Sequence, residues 1–386
     1  MELSLLTENL NTSLSHVSRF VSTKAQLPIL SYILFSTDNG RLKLSATSLE
    51  MGINYWTGAK IETEGSFCLP SKDISEFISY LPSGKIDFNL DDKNLLTVKS
   101  TKASSTFSTL SSADFPAIPS IDSTTVFDLD LPSFLDSVAT VAFASATDDS
   151  RPVLTSVLCK FTQESLTLVA TDGFRLSLKT IKFSTPINFP DGQDSLTLLV
   201  PAKSLAEVLK IAKNSPKIRL GLTADRHQIV FVLEDLEIVS RLIDGEYPNF
   251  ERIIPESSPT KIYVNREELA QAIRLASVFA RQSANVVRFS LKANSLELSA
   301  NAPQIGQNQV SVDARIEGEP LEIAFNYKFI SDFLAIAKGN EITIELNQPL
   351  TPGAFRDPQN PDLLHIIMPV RLQDLLTFIF IVICYL

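Results

Sequence analysis

A chain of 386 residues, 44% hydrophobic and 20% charged, holds enough apolar side chains for two or three cores and is not a disordered polypeptide. Its net charge of −10 argues against a protein that coats nucleic acid over its whole surface, but not against a basic lining inside an acidic body, because potential is local. Three cysteines (Cys68, Cys159, Cys384) stand in apolar contexts with no C-x-x-C spacing, which predicts a reducing compartment and no thiol–metal site.

The opening MELSLLTENL lacks a basic stretch and a long apolar run, so no signal peptide is expected, and the expected compartment is the cytoplasm. Leu10, Leu14 and Val17 follow at a 4-then-3 spacing that makes one apolar stripe along a helix. Lys24 precedes Leu27-Pro28-Ile29-Leu30. Leu42-Lys43-Leu44-Ser45-Ala46-Thr47 then alternates apolar and polar residues, the period of a half-buried strand. A second helix candidate opens at Leu69-Pro70-Ser71-Lys72 and continues to Ile78. An edge-strand candidate from Ser105 to Leu110 contains Phe107. After it, Asp114-Phe115-Pro116 and Pro119 read as a linker.

These pieces return twice in the same order. The helix stripe recurs as Phe134, Val138 and Val141, then as Leu269, Ile273 and Ala276. The alternating strand recurs as Leu166 to Thr171 and as Leu296 to Asn301. The second helix recurs as Val200-Pro201-Ala202-Lys203 to Leu209, then as Phe325-Asn326-Tyr327-Lys328 to Leu334. The linker recurs as Glu246-Tyr247-Pro248 with Pro255. Chance likeness of short amphipathic segments would not keep so many of them in step.

Three domains are therefore expected, 1–120, 121–253 and 254–373, followed by an atypical apolar tail at 374–386. Each reads strand, helix, strands, strand, helix, strands. The predicted class is α+β, with two helices packed on antiparallel sheets in every domain. Closing such a row with a second chain gives a ring of six domains and twelve helices. Helices about 10 Å across would then leave a hole roughly 28 Å wide, enough for a DNA duplex. Basic residues outnumber acidic ones on the helix candidates, which suits weak phosphate contact; ordinary solvated helix faces explain the same excess.

Four segments carry a family resemblance. Ala170-Thr171-Asp172-Gly173-Phe174-Arg175-Leu176 is similar to the A-T-D-G-x-R-L signature of the bacterial DNA polymerase III β subunit, the β sliding clamp family. Asp244-Gly245-Glu246-Tyr247-Pro248-Asn249-Phe250 resembles its D-G-x-[FY]-P-[DN]-[YF] motif. Met368-Pro369-Val370-Arg371-Leu372 resembles the M-P-[MV]-R-L with which the family usually ends, and Lys24 to Leu30 resembles its early basic residue and L-P-I-L. The resemblance covers residues 1–372.

It implies a non-catalytic, head-to-tail homodimeric ring around double-stranded DNA, gripped without sequence preference. The DNA polymerase III core, an ATP-driven clamp loader and other proteins with clamp-binding motifs would be its partners. A peptide cleft would be formed by Leu154, Thr171, Gly173, Phe174, Arg175, Leu176, Pro248, Arg252 and Ile253. Ile366, Met368, Pro369, Val370 and Arg371 would complete it. Aliphatic residues would form an adaptable trough, and arginines at its rim would hold carbonyls or a carboxylate. Lys24, Lys72 and Lys203 would face DNA. Asp148, Pro152 and Val153 stand where the family often has a glutamine and tyrosines near DNA, and an acid there would repel phosphate. Phe174 stands where many relatives have histidine and makes the cleft greasier. For the dimer seam, Phe107 would meet Val278 and Phe279; the alternative places Phe107 in its own domain's core.

No catalytic, cofactor or metal constellation is visible: there is no Gly-rich phosphate loop, H-E-x-x-H or nucleophile elbow. Asp148-Asp149 reads as a surface turn, since neighbours on a strand point to opposite faces. His16, His227 and His365 stand alone and read as buried or solvated filler. Two competing readings remain, an enzyme using the Thr171-Asp172-Gly173 turn and a repeat-built scaffold that does not encircle DNA. The run LLTFIFIVICYL from Leu375 is shorter than the roughly 20 residues of a membrane-spanning helix. It is expected to lie against its own cleft or a neighbouring surface and compete with client peptides, or else to be a frameshifted or disordered end.

Overall fold

Alternation in the sequence becomes antiparallel sheet, and the 4-then-3 stripes become helices. The computed structural model describes residues 1–22, 27–121, 126–187, 189, 194–212 and 215–371. Lys24, Cys384 and the apolar tail lie outside the described residues.

In the first third the order is β1 (Glu2–Leu6), α1 (Thr7–Val17), β2 (Tyr32–Asp38), β3 (Arg41–Thr47), β4 (Met51–Thr57), β5 (Lys60–Thr63), β6 (Ser66–Pro70), α2 (Ser71–Tyr80), β7 (Lys85–Leu90), β8 (Leu95–Lys99) and β9 (Ser104–Ser108). The middle third runs β10 (Val126–Asp130), α3 (Leu131–Val141), β11 (Ser156–Thr162), β12 (Ser165–Thr171), β13 (Arg175–Lys182), β14 (Ser195–Pro201), α4 (Ala202–Ile211), β15 (Lys217–Leu222), β16 (Gln228–Leu233) and β17 (Leu236–Arg241). The last third runs β18 (Thr260–Asn265), α5 (Arg266–Ala280), β19 (Val286–Leu291), β20 (Ser295–Ala302), β21 (Gly306–Glu317), β22 (Glu322–Asn326), α6 (Tyr327–Ile336), β23 (Glu341–Leu346), β24 (Gly353–Arg356) and β25 (Leu363–Ile367).

The threefold repeat is thus a repeat of structure. All three stripes are buried, as are the alternating leucines of β3, β12 and β20. Burial of each such side chain is worth about 1.5–3 kcal/mol, so the stripes account for which helix face turns inward. Asn265 and Asn326 cap α5 and α6 by accepting backbone N–H bonds, whereas prolines precede α2 and α4.

Compaction groups the chain into two units, Met1–Leu135 with Thr185–Ile243, and Asp136–Ser184 with Asp244–Leu386. The first holds a five-stranded sheet, β5-β1-β7-β8-β9, and an eight-stranded sheet, β10-β15-β16-β17-β4-β3-β2-β6. The second runs β11-β12-β13-β25-β24-β23-β18-β21-β20-β19-β22. The eight-stranded sheet and the sheet of the second unit continue across repeat boundaries. In the first unit β4 pairs with β17 from Met51↔Ser240 to Tyr55↔Leu236, and in the second β13 pairs with β25 from Arg175↔Ile367 to Lys179↔Leu363.

In the second unit, α5 and α6 cover an aromatic core in which the rings of Phe289, Phe325, Phe355 and Phe333 meet edge to face. No helix among the described residues is long and apolar enough to cross a membrane.

Candidate peptide-binding cleft

The site begins at the turn between β12 and β13. Gly173 takes φ +91°, a backbone region that favours glycine, and its N–H donates to Thr171 Oγ1 at 3.0 Å. The Thr171 hydroxyl donates to the Arg175 carbonyl at 2.6 Å, closing the turn. Asp172 Oδ1 accepts from the amides of Phe174 and Arg175 at 2.9 and 3.0 Å, and Oδ2 accepts from Arg175 Nε at 3.0 Å. These three carboxylate bonds all shape the turn, so the Asp172 side chain is committed to local structure.

The strand period then sorts the signature residues onto two faces. Arg175, Ser177 and His365 face the helices. There the Arg175 guanidinium donates to the Phe143 carbonyl at 2.9 Å, pairs with Asp332 of α6, and lies over the rings of Phe143 and Phe329 at 5.2 and 4.7 Å. It already holds a carbonyl and two carboxylates of its own chain, so it braces the β12–β13 turn against α6. Ser177 donates to the Thr140 carbonyl at 2.8 Å. His365 is fully buried, stacked on Phe333 and tilted against Phe143, each at 5.4 Å. Burial, with the nearby Arg175 charge second, pushes its pKa down to about 3 and keeps it neutral.

Phe174, Leu176, Ile366 and Met368 share the other face. The Met368 amide donates to the Phe174 carbonyl at 2.9 Å, extending the β13–β25 ladder by one pair. Leu176 and Ile366 are buried floor, together with Leu154 and Thr171, whereas Phe174 is 62% and Met368 37% exposed. Two apolar side chains are thus presented directly opposite each other.

The remaining predicted residues come from two flanks. Tyr247 donates to the Val169 carbonyl at 3.4 Å and is half-buried, its loss of solvent raising its pKa, and it anchors the segment bearing Pro248. Gly245, at φ +138°, passes so close to Val153 that a Cβ would sit 2.7 Å from its methyl group. Pro248, Arg252 and Arg371 are exposed, and Ile253, Pro369 and Val370 are half-buried. The Val370 amide bonds to the Ala324 carbonyl at 2.8 Å. Sequence reasoning did not single out Arg151, whose guanidinium reaches the Asp172 carbonyl at 3.5 Å, or the anchoring role of Tyr247. The signal for Tyr247 was present, since the aromatic is part of the motif.

The first repeat junction reproduces this turn with different chemistry. Thr47 Oγ1 donates to the Met51 carbonyl, and Leu49, at φ +72°, donates its N–H to Thr47 Oγ1 at 3.0 Å. The Arg241 amide donates to the Glu50 carbonyl at 2.9 Å, matching Met368 on Phe174. A charged pair, Glu50 and Arg241, therefore replaces the apolar one. Gly52, the counterpart of Leu176, leaves room for the linker's Ile118, whose side chain lies 3.3 Å from the position of a Cβ.

The other predicted sites are separate. Lys72, Lys203 and Lys328 are exposed at the second residue of α2, α4 and α6. Phe107 is half-buried on the edge strand β9, with its ring 5.2 Å from Phe77, while Val278 on α5 is exposed and Phe279 half-buried. Asp148 accepts from the Ser150 amide at 3.1 Å in an exposed turn. Among the described residues, no three His, Cys, Asp or Glu side chains form a cluster able to hold a metal.

A strand–helix–strands unit repeated six times in three domains, with sheets continued across the junctions, is the architecture of the DNA clamps. The N-terminal, central and C-terminal domain models of the DNA polymerase III beta subunit match residues 1–119, 128–249 and 251–371. The beta sliding clamp of Synechococcus elongatus is 31% identical over 97% of this chain and 100% of its own length; that of Bacillus subtilis is 30% identical over 96% and 100%. The solved DNA polymerase sliding clamp of Bacillus subtilis superposes with a TM-score of 0.90 at 30% identity, covering 97% of this chain and 100% of that one. The DNA polymerase III beta subunit of Thermotoga maritima gives 0.87 at 28% identity, covering 96% and 100%. The chain belongs to the DNA polymerase III beta subunit family, the beta sliding clamps.

Proposed function

We propose that this chain is a non-catalytic DNA sliding clamp that tethers the replicative polymerase to its template and docks short peptides of its partners on the Phe174–Met368 face. The observation that carries the cleft reading is the contrast between the two junctions. One turn geometry recurs at both, and only the second presents an exposed apolar pair over an apolar floor. Arg151, Arg252 and Arg371 supply the cationic rim.

Domains 1–120, 121–253 and 254–373 would form half of a six-domain ring, closed by a second copy head to tail. The edge strand β9 with Phe107, and α5 with Val278, Phe279 and the exposed Leu275, are the surfaces that suit this closure. Lys72 and Lys203, with Lys328 at the equivalent place, support DNA contact. A cation in the first turn opposes the helix dipole by about 0.3–1 kcal/mol, so stability does not explain its threefold use, whereas at α2 and α4, which have no side-chain cap, a phosphate would meet both the ammonium and first-turn N–H groups.

Retention on circular against linear duplex DNA, with the native mass of the free protein, tests this reading. A dimer held on circles and lost from linear ends is the expected result. A monomer that leaves both equally would overturn it.

A further inference from the structure

We propose that Glu76 of α2 is the acceptor for a second copy of this chain, whose α5 brings Arg274 and Arg281 to it, an inference that rests on the head-to-tail reading above. The second helix of each repeat carries an acid at its sixth residue, Glu76 in α2, Glu207 in α4 and Asp332 in α6. Two of the three receive an arginine from the domain before. Glu207 holds Arg19 Nε at 2.6 Å, and Asp332 holds the Arg175 guanidinium. Each pair accompanies a sheet that continues between the same two domains, β4 onto β17 and β13 onto β25. The acid belongs to the domain that supplies the later strand, and the cation to the domain that supplies the earlier one.

Glu76 has the place without the partner. It is exposed, and among the described residues its carboxylate accepts the Tyr80 hydroxyl at 3.3 Å and forms no ion pair. The Phe77–Phe107 ring contact sets α2 beside β9, so this acid and an edge of the five-stranded sheet lie together. The complementary cations are on α5. At the first junction Arg19 stands two residues past the last stripe residue, Val17, and the matching place after Ala276 is Val278. Val278 is 53% exposed, with Arg274 four residues before it and Arg281 three after, on one helix face and without a carboxylate partner among the described residues. One helical turn rises about 5.4 Å, within the reach of an arginine, so both guanidinium groups can meet a carboxylate set over Val278. The charges also fix polarity, because Glu76 repels another Glu76 and like ends of two copies do not join.

The test uses two full-length variants, Glu76→Arg and the double variant Arg274→Glu with Arg281→Glu, sedimented alone and mixed beside the parent. All three positions are exposed, so the variants keep the parent's fold, which thermal melts check. Alone, each variant sets like charges against one another at both seams and is expected to dimerise at least about tenfold more weakly than the parent. Mixed, the two make a ring in which both seams again pair opposite charges, and a one-to-one dimer of the parent's strength is expected. Undiminished dimers of either variant alone overturn the proposal, and so does a mixture no stronger than its components. The head-to-tail reading fails separately, if the parent itself sediments as a monomer, and the pairing falls with it.

Discussion

The Asp136 carboxylate of α3 holds the Lys179 ammonium of β13 at 2.6 Å while its other oxygen takes Lys338, just past α6. Burial alone would raise the pKa of Asp136; hydrogen bonds from the two lysines overcome this and hold it below the usual carboxylate range. Lys179 has only 11% of its side chain exposed, so losing its partner strands a charge. Asp136→Asn is expected to cost about 1–3 kcal/mol in urea unfolding, and Lys338→Ala, at the exposed end, under about 1 kcal/mol. Equal costs for the two variants would refute this ranking.

His365 gives the stability a pH dependence of definite sign. Its folded pKa is about 3 against 6.5 for the free side chain. Between those values the unfolded chain binds a proton that the fold excludes, so stability falls as pH falls, approaching about 1.4 kcal/mol per pH unit from this residue. His365→Phe keeps the stack on Phe143 and Phe333 and is expected to flatten the dependence between pH 6.5 and 4. Thermal melts of both chains across that window measure it.

Arg175 is expected to behave as a brace. Arg175→Lys keeps the charge and loses the planar fork that joins Asp172, Asp332 and the Phe143 carbonyl, at a cost of about 2–4 kcal/mol. The Asp172→Asn change releases the turn without touching α6 and is expected to cost less. Denaturant midpoints of the two variants check the order.

The sequence made the repeat legible because strand alternation and helix stripes depend on local spacing, and Leu42, Leu166 and Leu296 all lie in the core of equivalent strands. It also marked the turn at Thr171 and the strand at Ile366. It did not reveal that Arg175 reaches Asp332 and the Phe143 carbonyl, since that depends on which partners the elements after α3 and along α6 bring to this face. Nor did it reveal that Glu50 and Arg241 match Phe174 and Met368, because that equivalence lies in backbone hydrogen bonds between strands far apart in sequence.

Lys72, Lys203 and Lys328 are expected to act together on DNA. Each alanine substitution should flatten the slope of log affinity against log salt by about 0.9 if its lysine meets a phosphate. Filter binding of circular duplex between 50 and 200 mM salt, roughly the range over which such slopes show, provides the measurement. An unchanged slope in the triple variant would remove these lysines from the DNA surface.

Cys68 and Cys159 are buried, and burial pushes both thiols up to about 12. A Cys384→Ser chain is therefore expected to resist maleimide at neutral pH until guanidinium exposes its two remaining thiols. Prompt labelling of the native variant would contradict their burial.

The pairing of β4 with β17, and of β13 with β25, decides where this chain can be cut. A fragment ending at residue 120 would carry β4 with a bare flank, and one beginning at 254 would leave β25 without β13. Such flanks recruit other strands, so fragments trimmed to the repeat are expected to aggregate. Recombinant pieces for partner mapping are better bounded by whole sheets than by the sequence period.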